Sequence, residues 1–284
     1  MTIAYRSVST TTGTGTTVSL TAPSGVQRGD VLIAIIAANA AVSALETDPA
    51  FTAVEQDSYL GKERTIAFAR APASLGTSEF TLAISVEYVA ALFAFSGGVG
   101  ADPVDVYDTT TATITVGSLI LSPALSSPTE DNVERLIFVI GDAAGSTALT
   151  HTWYQGTERV DIGTSSRFQL TATTESIATP GATPGIGTPS CSSDSYSATI
   201  GEIILKSGTA PTITTVDPDY GPITGGETIT ITGTGFKDAL TEVEIADVAC
   251  TSVTVVSSTV VTAVTPAGSV GAQTLAVYTD EGSA

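Results

Sequence analysis

The most constraining feature of this 284-residue sequence is the series of short apolar segments, separated by glycine and proline, in residues 210–284. Residues 213–216 have the composition of a strand, and residues 218–222 turn it. Gly-Gly at residues 225–226 closes a tight bend before residues 229–231, where isoleucine alternates with threonine. This end of the chain therefore predicts a small β-sandwich of its own.

The exit from that strand carries a second marker, because Gly233 and Gly235 let the chain bend and Phe236 can return to the core. Together with the Pro-x-Ile opening at 211–213 and the Gly-Pro-x-x-Gly-Gly bend at 221–226, this arrangement closely resembles the IPT/TIG family of immunoglobulin-like domains. That family occurs in receptors, transcription factors, adhesins, polysaccharide-acting enzymes and phage structural proteins. The resemblance thus implies a fold and leaves the function open.

Two domains are expected from the length and from the position of this pattern. We place the larger one at residues 1–207 and the IPT/TIG-like one at residues 208–284, with the boundary at Lys206–Ala210. The resemblance implies one more strand after residues 277–279, where the chain reaches Ala284. We therefore expect either a missing tail or an edge that another chain completes.

The composition excludes several classes of protein. With 42% hydrophobic and 14% charged residues the chain is not disordered, and its threonine, serine, valine and glycine content is typical of an all-β fold. A net charge of −19 repels phosphate backbones, so we expect no nucleic-acid binding. The apolar run at residues 31–41 is shorter than the roughly 20 residues that span a bilayer, so we expect no membrane insertion. Residues 1–6 lack a basic start followed by an apolar run, so we also expect that this is not a standard secretory precursor.

The first domain has the spacing of a β-sandwich, which we expect to be jelly-roll-like. The sequence Pro-Ser-Gly-Val-Gln-x-Gly-Asp-Val-Leu-Ile-Ala at 23–34 resembles a β-sandwich module of phage virion proteins and some bacterial surface proteins. It leads into a strand at 31–37 that should be buried on both faces. Further strands are predicted at 3–8, 18–21, 52–56, 64–70, 79–86, 89–95, 112–121, 134–141, 159–162, 166–173 and 196–205.

Between these strands the sequence predicts polar loops. Residues 10–16 are threonine and glycine, residues 102–108 are acidic, and residues 178–190 are rich in proline, glycine and threonine. Residues 128–135 could form one helical turn. No internal repeat is visible in the sequence.

The chain contains few of the side chains that act as nucleophiles, general bases or soft metal ligands, and we assign no catalytic, cofactor-binding or metal-binding residue. Its one histidine, His151, and its two cysteines, Cys191 and Cys250, are too few for a zinc site and are expected to form no disulfide. Cys250 is expected to be an inert buried thiol. Ca²⁺ could bind the carboxylates of 102–108 or 217–219, although both segments have the composition of solvated acidic loops.

Three classes of function remain. The first is a non-enzymatic structural protein of a tailed-phage virion, preferably a capsid decoration protein, because a tail or head fibre usually shows repeats. Its partners would be the major capsid protein or another virion protein, further copies of itself, and weakly a host or environmental glycan.

The second is a bacterial extracellular adhesin or carbohydrate-binding fragment, for which Tyr59, Trp153, Tyr154 and Tyr220 are the candidate aromatics, although each is typical of a residue at a sandwich edge. The third is a polysaccharide-acting enzyme with two carboxylates from distant strands.

Overall fold

The computed structural model describes residues 3–40, 51–59, 62–72, 75–97, 103–114, 132–143, 151–152, 156–164, 168–179, 190–191, 196–237, 241–279 and 282–283. Every regular element in these residues is a β-strand, so the expected all-β class is confirmed. The chain divides into two compact units. The N-terminal unit comprises Thr2–Ser96 and Asp102–Ser207, and the C-terminal unit comprises Gly208–Ala284 with Met1 and Gly97–Ala101. None of the described residues forms a helix long and apolar enough to cross a membrane.

The strands of the N-terminal unit follow one another along the chain with no other regular element between them in the described residues. They are β1 Ala4–Thr21, β2 Val31–Ala38, β3 Thr52–Tyr59, β4 Lys62–Arg70, β5 Thr77–Ser96, β6 Val104–Ile114, β7 Val133–Ala143, β8 His151–Thr152, β9 Thr157–Thr164, β10 Phe168–Ile177, β11 Ser190–Cys191 and β12 Tyr196–Leu205.

Two antiparallel five-stranded sheets make up this unit, in the orders β1-β5-β2-β4-β3 and β6-β12-β7-β10-β9. Among the residues that the structure describes, the short strands β8 and β11 pair only with each other. Each large sheet is built from one contiguous half of the unit, whereas a jelly roll winds its strands alternately through both sheets. The expected sandwich is therefore present, and the jelly-roll detail is corrected.

The two sheets share one topology. With β8 and β11 set aside, the second sheet has its first, fifth, second, fourth and third strands side by side, as the first sheet does. The sequence showed no repeat because the equivalence lies in the strand order and not in the residues. For example, β2 is wholly apolar, whereas β7 carries Glu134 and Arg135.

A shared core joins the inner faces of the two sheets. It contains alternate residues of β2 and β5, such as Ile33 and Phe93, and alternate residues of β7 and β10, such as Phe138 and Leu170. The other face of the first sheet has its own core, to which Leu32 and its alternating neighbours contribute. Strand β2 is therefore buried on both faces, as predicted.

Strands β1 and β5 are longer than the sequence predicted. The predicted strands at 3–8 and 18–21 are continuous as β1, and those at 79–86 and 89–95 are continuous as β5, because residues 10–15 of β1 pair with β5 and do not form a loop. Threonine is a good strand former, and Gly13 leaves room for the ring of Tyr88. The register shifts after Gly15, and Val18 and Phe80 beyond that shift join the second core. The far ends of β1 and β5 thus cover the second face of their sheet.

Other loop predictions also need correction. The acidic segment at 102–108 is a strand from Val104 onward, since β6 pairs with β12 along its length. Residues 133–135 belong to β7, which excludes a helical turn there. Residues 115–121, 128–131 and 180–189, which include parts of a predicted strand, turn and loop, lie outside the described residues.

The C-terminal unit is a sandwich of two four-stranded sheets. Its strands are β13 Thr212–Asp217, β14 Thr228–Thr234, β15 Glu242–Ile245, β16 Val248–Ala249, β17 Thr251–Ser257, β18 Val260–Val264, β19 Leu275–Thr279 and β20 Gly282–Ser283. The orders are β13-β14-β18-β17 and β16-β15-β19-β20. A two-residue strand, β20, therefore pairs with β19 where the family pattern implies a further strand.

The glycine markers of this unit act as predicted. Gly225 and Gly226 have φ angles of 66° and 87°, which favour glycine. A side chain at Gly233 would lie 1.8 Å from the carbonyl oxygen of Thr212 on the neighbouring strand. Phe236 returns to the core, where Cys250 also lies.

Candidate functional site

A cleft of about 400 Å³ opens at one end of the C-terminal sandwich. Two loops form it: residues 218–227 between β13 and β14, and residues 265–274 between β18 and β19. Its floor is the end of the apolar core, with Ile229, Ile245 and Leu275. Both loops are rich in glycine and proline, which turn the chain at the strand ends and leave short side chains beside the opening.

Backbone hydrogen bonds hold the two loops together. The amide of Gly226 donates to the carbonyl oxygen of Thr265 at 2.9 Å, and the amide of Gly268 donates to that of Ile223 at 2.8 Å. A side chain at Gly225 would lie 2.4 Å from the carbonyl carbon of Pro266, so glycine permits this close approach. The cleft is therefore formed without any ligand.

The rim of the cleft exposes large apolar side chains. Tyr220 is 82% exposed and Ile223 is 56% exposed, and both line the opening. Val270, which is 87% exposed, lies between the lining residues Ser269 and Gly271. Exposed apolar groups grouped at one end of a domain are typical of a contact surface.

A second unusual feature is a buried cluster of charges in the N-terminal unit. Arg135 on β7 lies 2.6 Å from Oε2 of Glu175 on β10 and 3.4 Å from Oε1 of Glu202 on β12. The side chains of Arg135 and Glu202 are each 1% exposed, and that of Glu175 is 27% exposed. Oε2 of Glu202 and Nε of Arg135 have no hydrogen-bond partner among the described residues.

The buried position of Glu202 changes its acidity. Burial raises the pKa of Glu202 to about 7, because a carboxylate is poorly solvated there. Arg135 lowers this pKa, while Asp108 and Glu175 raise it through their negative charge. The attraction of Arg135 therefore offsets only part of the cost of burying the Glu202 carboxylate. The carboxyl group consequently takes up a proton near neutral pH.

Residues 211–284 match the family model of the IPT/TIG domain. The C-terminal unit is an IPT/TIG domain. No curated protein and no solved structure matches the chain at a significant level. The cleft thus belongs to the IPT/TIG domain, and the buried charges belong to a unit for which the comparisons give no relative.

The structure separates the residues that the sequence singled out. Tyr220 lies at the IPT/TIG cleft, and its exposure excludes the expected role of covering a sandwich edge. Asp219 also lines this cleft, and Asp217 ends β13 beside it. Asp108 accepts a hydrogen bond from the amide of Thr109 and lies near Glu202. Within the described residues, no three His, Cys, Asp or Glu side chains form a group that could hold a metal ion.

The histidine and the cysteines have different environments. His151 and Cys191, far apart in sequence, occupy paired positions on β8 and β11. Cys250 is a free thiol in the core of the IPT/TIG domain, and burial raises its pKa. Trp153, Tyr154 and Asp102 lie outside the described residues.

Sequence reasoning missed Arg135 and Glu202. A signal was present, because each is a charged residue within an otherwise apolar strand segment, Leu-Ile-Phe-Val-Ile after Arg135 and Ile-Ile-Leu after Glu202. Such a residue must face solvent, an edge or a partner charge. The partner could not be named, since 67 positions separate the two residues.

We expect the stability of the N-terminal unit to fall as pH rises from 5 to 8. The folded pKa of Glu202 is raised to about 7 from an ordinary 4.5, so the folded state holds a proton that the unfolded state releases in this range. The linked change is about 3 kcal/mol in the free energy of unfolding, present below pH 4.5 and lost as pH rises through 7. Glu202→Gln should remove the part of this dependence that Glu202 contributes and be more stable than the wild type at pH 8, while Glu134 and Asp161, whose pKa values burial also raises, keep their own contributions.

Urea unfolding at pH 5, 6, 7 and 8 measures this effect through the single tryptophan, Trp153, which lies in the sequence range of the N-terminal unit. Glu79→Gln, at an exposed position of β5, is the control and should leave the pH profile unchanged. An equal pH dependence in wild type and Glu202→Gln would show that Glu202 does not titrate in this range.

Proposed function

We propose that this chain is a non-enzymatic structural protein on the surface of a tailed-phage particle, specifically a capsid decoration protein. The observation that carries the proposal is the IPT/TIG domain with its preformed, exposed cleft, since immunoglobulin-like domains of this family are typical of adhesion and surface proteins. The domain supplies a contact surface, and the larger N-terminal unit supplies a rigid base. Its two-sided core supports that second role.

In this proposal the N-terminal unit attaches to the major capsid protein or to another virion protein, in several copies that form a homo-oligomer. Repetition by the symmetry of the particle would add the weak contacts of many IPT/TIG domains into a strong one. The net charge of −19 supports a role at an exposed surface, because it favours solubility and opposes contact with nucleic acid.

The sheet topology bears on the choice between a capsid decoration protein and a fibre protein. The shared topology of the two N-terminal sheets is a repeat, so the lack of repeats no longer opposes a fibre protein. Within the described residues, however, all large sheets belong to globular sandwiches and none has the elongated periodicity of a β-helix or coiled coil. We therefore retain capsid decoration as the proposal.

A bacterial extracellular adhesin is the second candidate. The exposure of Tyr220 beside the carboxylates of Asp219 and Glu227 favours it, because an aromatic ring and hydrogen-bonding groups together can bind a saccharide. In that case the chain would act as part of a cell-surface polypeptide, and a glycan would be the ligand.

Fractionation of purified particles from the native source tests the proposal. We expect the chain to co-sediment with the major capsid protein in a density gradient and to show a fixed, high stoichiometry by quantitative mass spectrometry. Disruption of the particles, followed by separation of heads and tails, should leave it with the heads. Its recovery only in membrane or culture-supernatant fractions would contradict the particle role and support the adhesin.

A further inference from the structure

The cleft of the IPT/TIG domain combines an apolar rim with negative charge. Tyr220 and Ile223 line the opening, and Val270 lies in the second loop that forms it. Pro218, Pro222 and Pro266 also line the cleft and contribute rigid apolar surface. An apolar side chain of a ligand could enter here and contact the end of the core at Leu275.

The charges around the opening all have one sign. Asp219 and Glu227 line the cleft, and neither lysine nor arginine is among the described residues that line it. Residues 211–284 as a whole carry nine acidic residues against Lys237 alone: Asp217, Asp219, Glu227, Asp238, Glu242, Glu244, Asp247, Asp280 and Glu281. The field at the cleft therefore attracts cations and repels acidic ligands.

We propose that this cleft binds a segment of a partner protein that carries an apolar side chain next to lysine or arginine. The apolar side chain would fill the opening between Tyr220 and Ile223, and the cationic groups would face Asp219 and Glu227. Two features favour a protein segment over a saccharide. Tyr220 offers one ring for stacking, but the other exposed apolar side chains, Ile223 and Val270, are aliphatic. The concentrated negative charge attracts a cationic segment at long range, whereas a neutral sugar uses the carboxylates only as hydrogen-bond acceptors.

Preorganisation supports the same conclusion. The hydrogen bonds between residues 223 and 268 and between residues 226 and 265 fix the loops before any ligand arrives. A ligand therefore does not have to order the loops, which lowers the cost of binding. All the residues of this cleft belong to the IPT/TIG domain. Binding of such a segment therefore does not depend on whether the chain is part of a particle or of a cell surface.

Selection from a random dodecapeptide library displayed on a carrier tests the inference, with the full chain immobilised. Counter-selection uses a chain with Tyr220→Ser and Ile223→Ser, two changes at exposed positions that leave the core unaltered. We expect the enriched peptides to carry net positive charge and at least one large apolar residue. Their affinity for the full chain is then measured by fluorescence polarisation with a labelled peptide.

Two groups of variants separate the apolar and electrostatic parts of the site. Tyr220→Ser should weaken binding about tenfold, because it removes the largest exposed side chain of the rim. Asp219→Asn with Glu227→Gln should weaken binding about fivefold. These two changes should also remove most of the dependence of the affinity on NaCl concentration between roughly 50 and 500 mM, a range in which added salt increasingly screens charges. Asp247→Asn and Val256→Ser, at exposed positions outside the lining, are the matched controls and should have no effect.

Four results would overturn the inference: enrichment of neutral or acidic peptides, enrichment that counter-selection does not remove, binding that the Asp247→Asn control weakens as much as the cleft variants do, or failure to enrich any peptide. Maltohexaose provides the comparison with a neutral saccharide. Chemical-shift changes at the cleft with maltohexaose, in the absence of peptide binding, would assign the site to a sugar. Because the particle fractionation uses a different readout, failure of this inference and failure of the decoration role are distinguishable.

Discussion

Arg135→Met is expected to lower the free energy of unfolding of the N-terminal unit by about 3–5 kcal/mol at pH 8. The substitution keeps an apolar side chain of similar length but leaves the carboxylate of Glu202, which is almost fully buried, without its cation. At pH 5.5 the loss should be smaller by about 1–2 kcal/mol, because Glu202 with a pKa of about 7 is then protonated and needs no cation. Urea unfolding followed by Trp153 fluorescence at both pH values measures the difference.

The double variant Arg135→Met, Glu202→Gln provides the critical comparison. Removal of both charges should recover most of the stability at pH 8, because a neutral amide among apolar neighbours costs less than an isolated carboxylate. Glu175 also loses its cation, but its side chain reaches solvent. A loss that is the same at both pH values, or a double variant as unstable as Arg135→Met, would contradict the role that we assign to the buried pair.

Gly201→Ala is expected to lower the free energy of unfolding by about 3 kcal/mol. A Cβ atom at Gly201 on β12 would lie 1.9 Å from Cζ of Phe138 on β7, and two further ring atoms would lie within 2.7 Å. Phe138 is fully buried in the core between the two sheets, so its ring has no room to withdraw. Gly76→Ala, where no atom lies within 4 Å of the added carbon, is the control and should change stability by less than about 0.5 kcal/mol.

A double-mutant cycle with Phe138→Leu tests the origin of this loss. The smaller side chain should destabilise the wild type but relieve the overlap with Ala at position 201. The two changes are therefore expected to be non-additive by more than about 1 kcal/mol. Additive effects would show that the overlap with Phe138 is not the cause.

The C-terminal unit could be predicted from its sequence because local residues determine its form. Gly225, Gly226 and Gly235 have positive φ angles, and Gly233 lies against the backbone of the next strand. A positive φ angle and a close approach of two backbones both favour glycine over all other residues, so these positions can be recognised in the sequence. The exposure of Tyr220 could not be predicted from the sequence, since an aromatic residue in a loop can either cover the edge of a sandwich or face solvent.

The N-terminal unit was predicted less completely because its form depends on distant pairings. The apolar strands β2, β7 and β12 were recognised by composition alone. The composition of the threonine and glycine residues 10–16 predicts a loop, and only the pairing of residues 10–15 with β5 makes this segment part of a strand. The same holds for the Arg135 and Glu202 pair, whose strands are neighbours in the sheet but lie far apart in the chain.

The building of each large sheet from one contiguous half also bears on how the chain folds during synthesis. All the hydrogen-bond pairs of β1–β5 lie within residues 4–96, so the first sheet can form while the second is still being translated. At about 5–20 residues per second, the remaining hundred or so residues take roughly 5–20 s. The far ends of β1 and β5 already cover one face of the sheet. The other, with Ile33, Phe93 and Phe95, stays open for that interval, which makes the half-synthesised chain the form most exposed to aggregation.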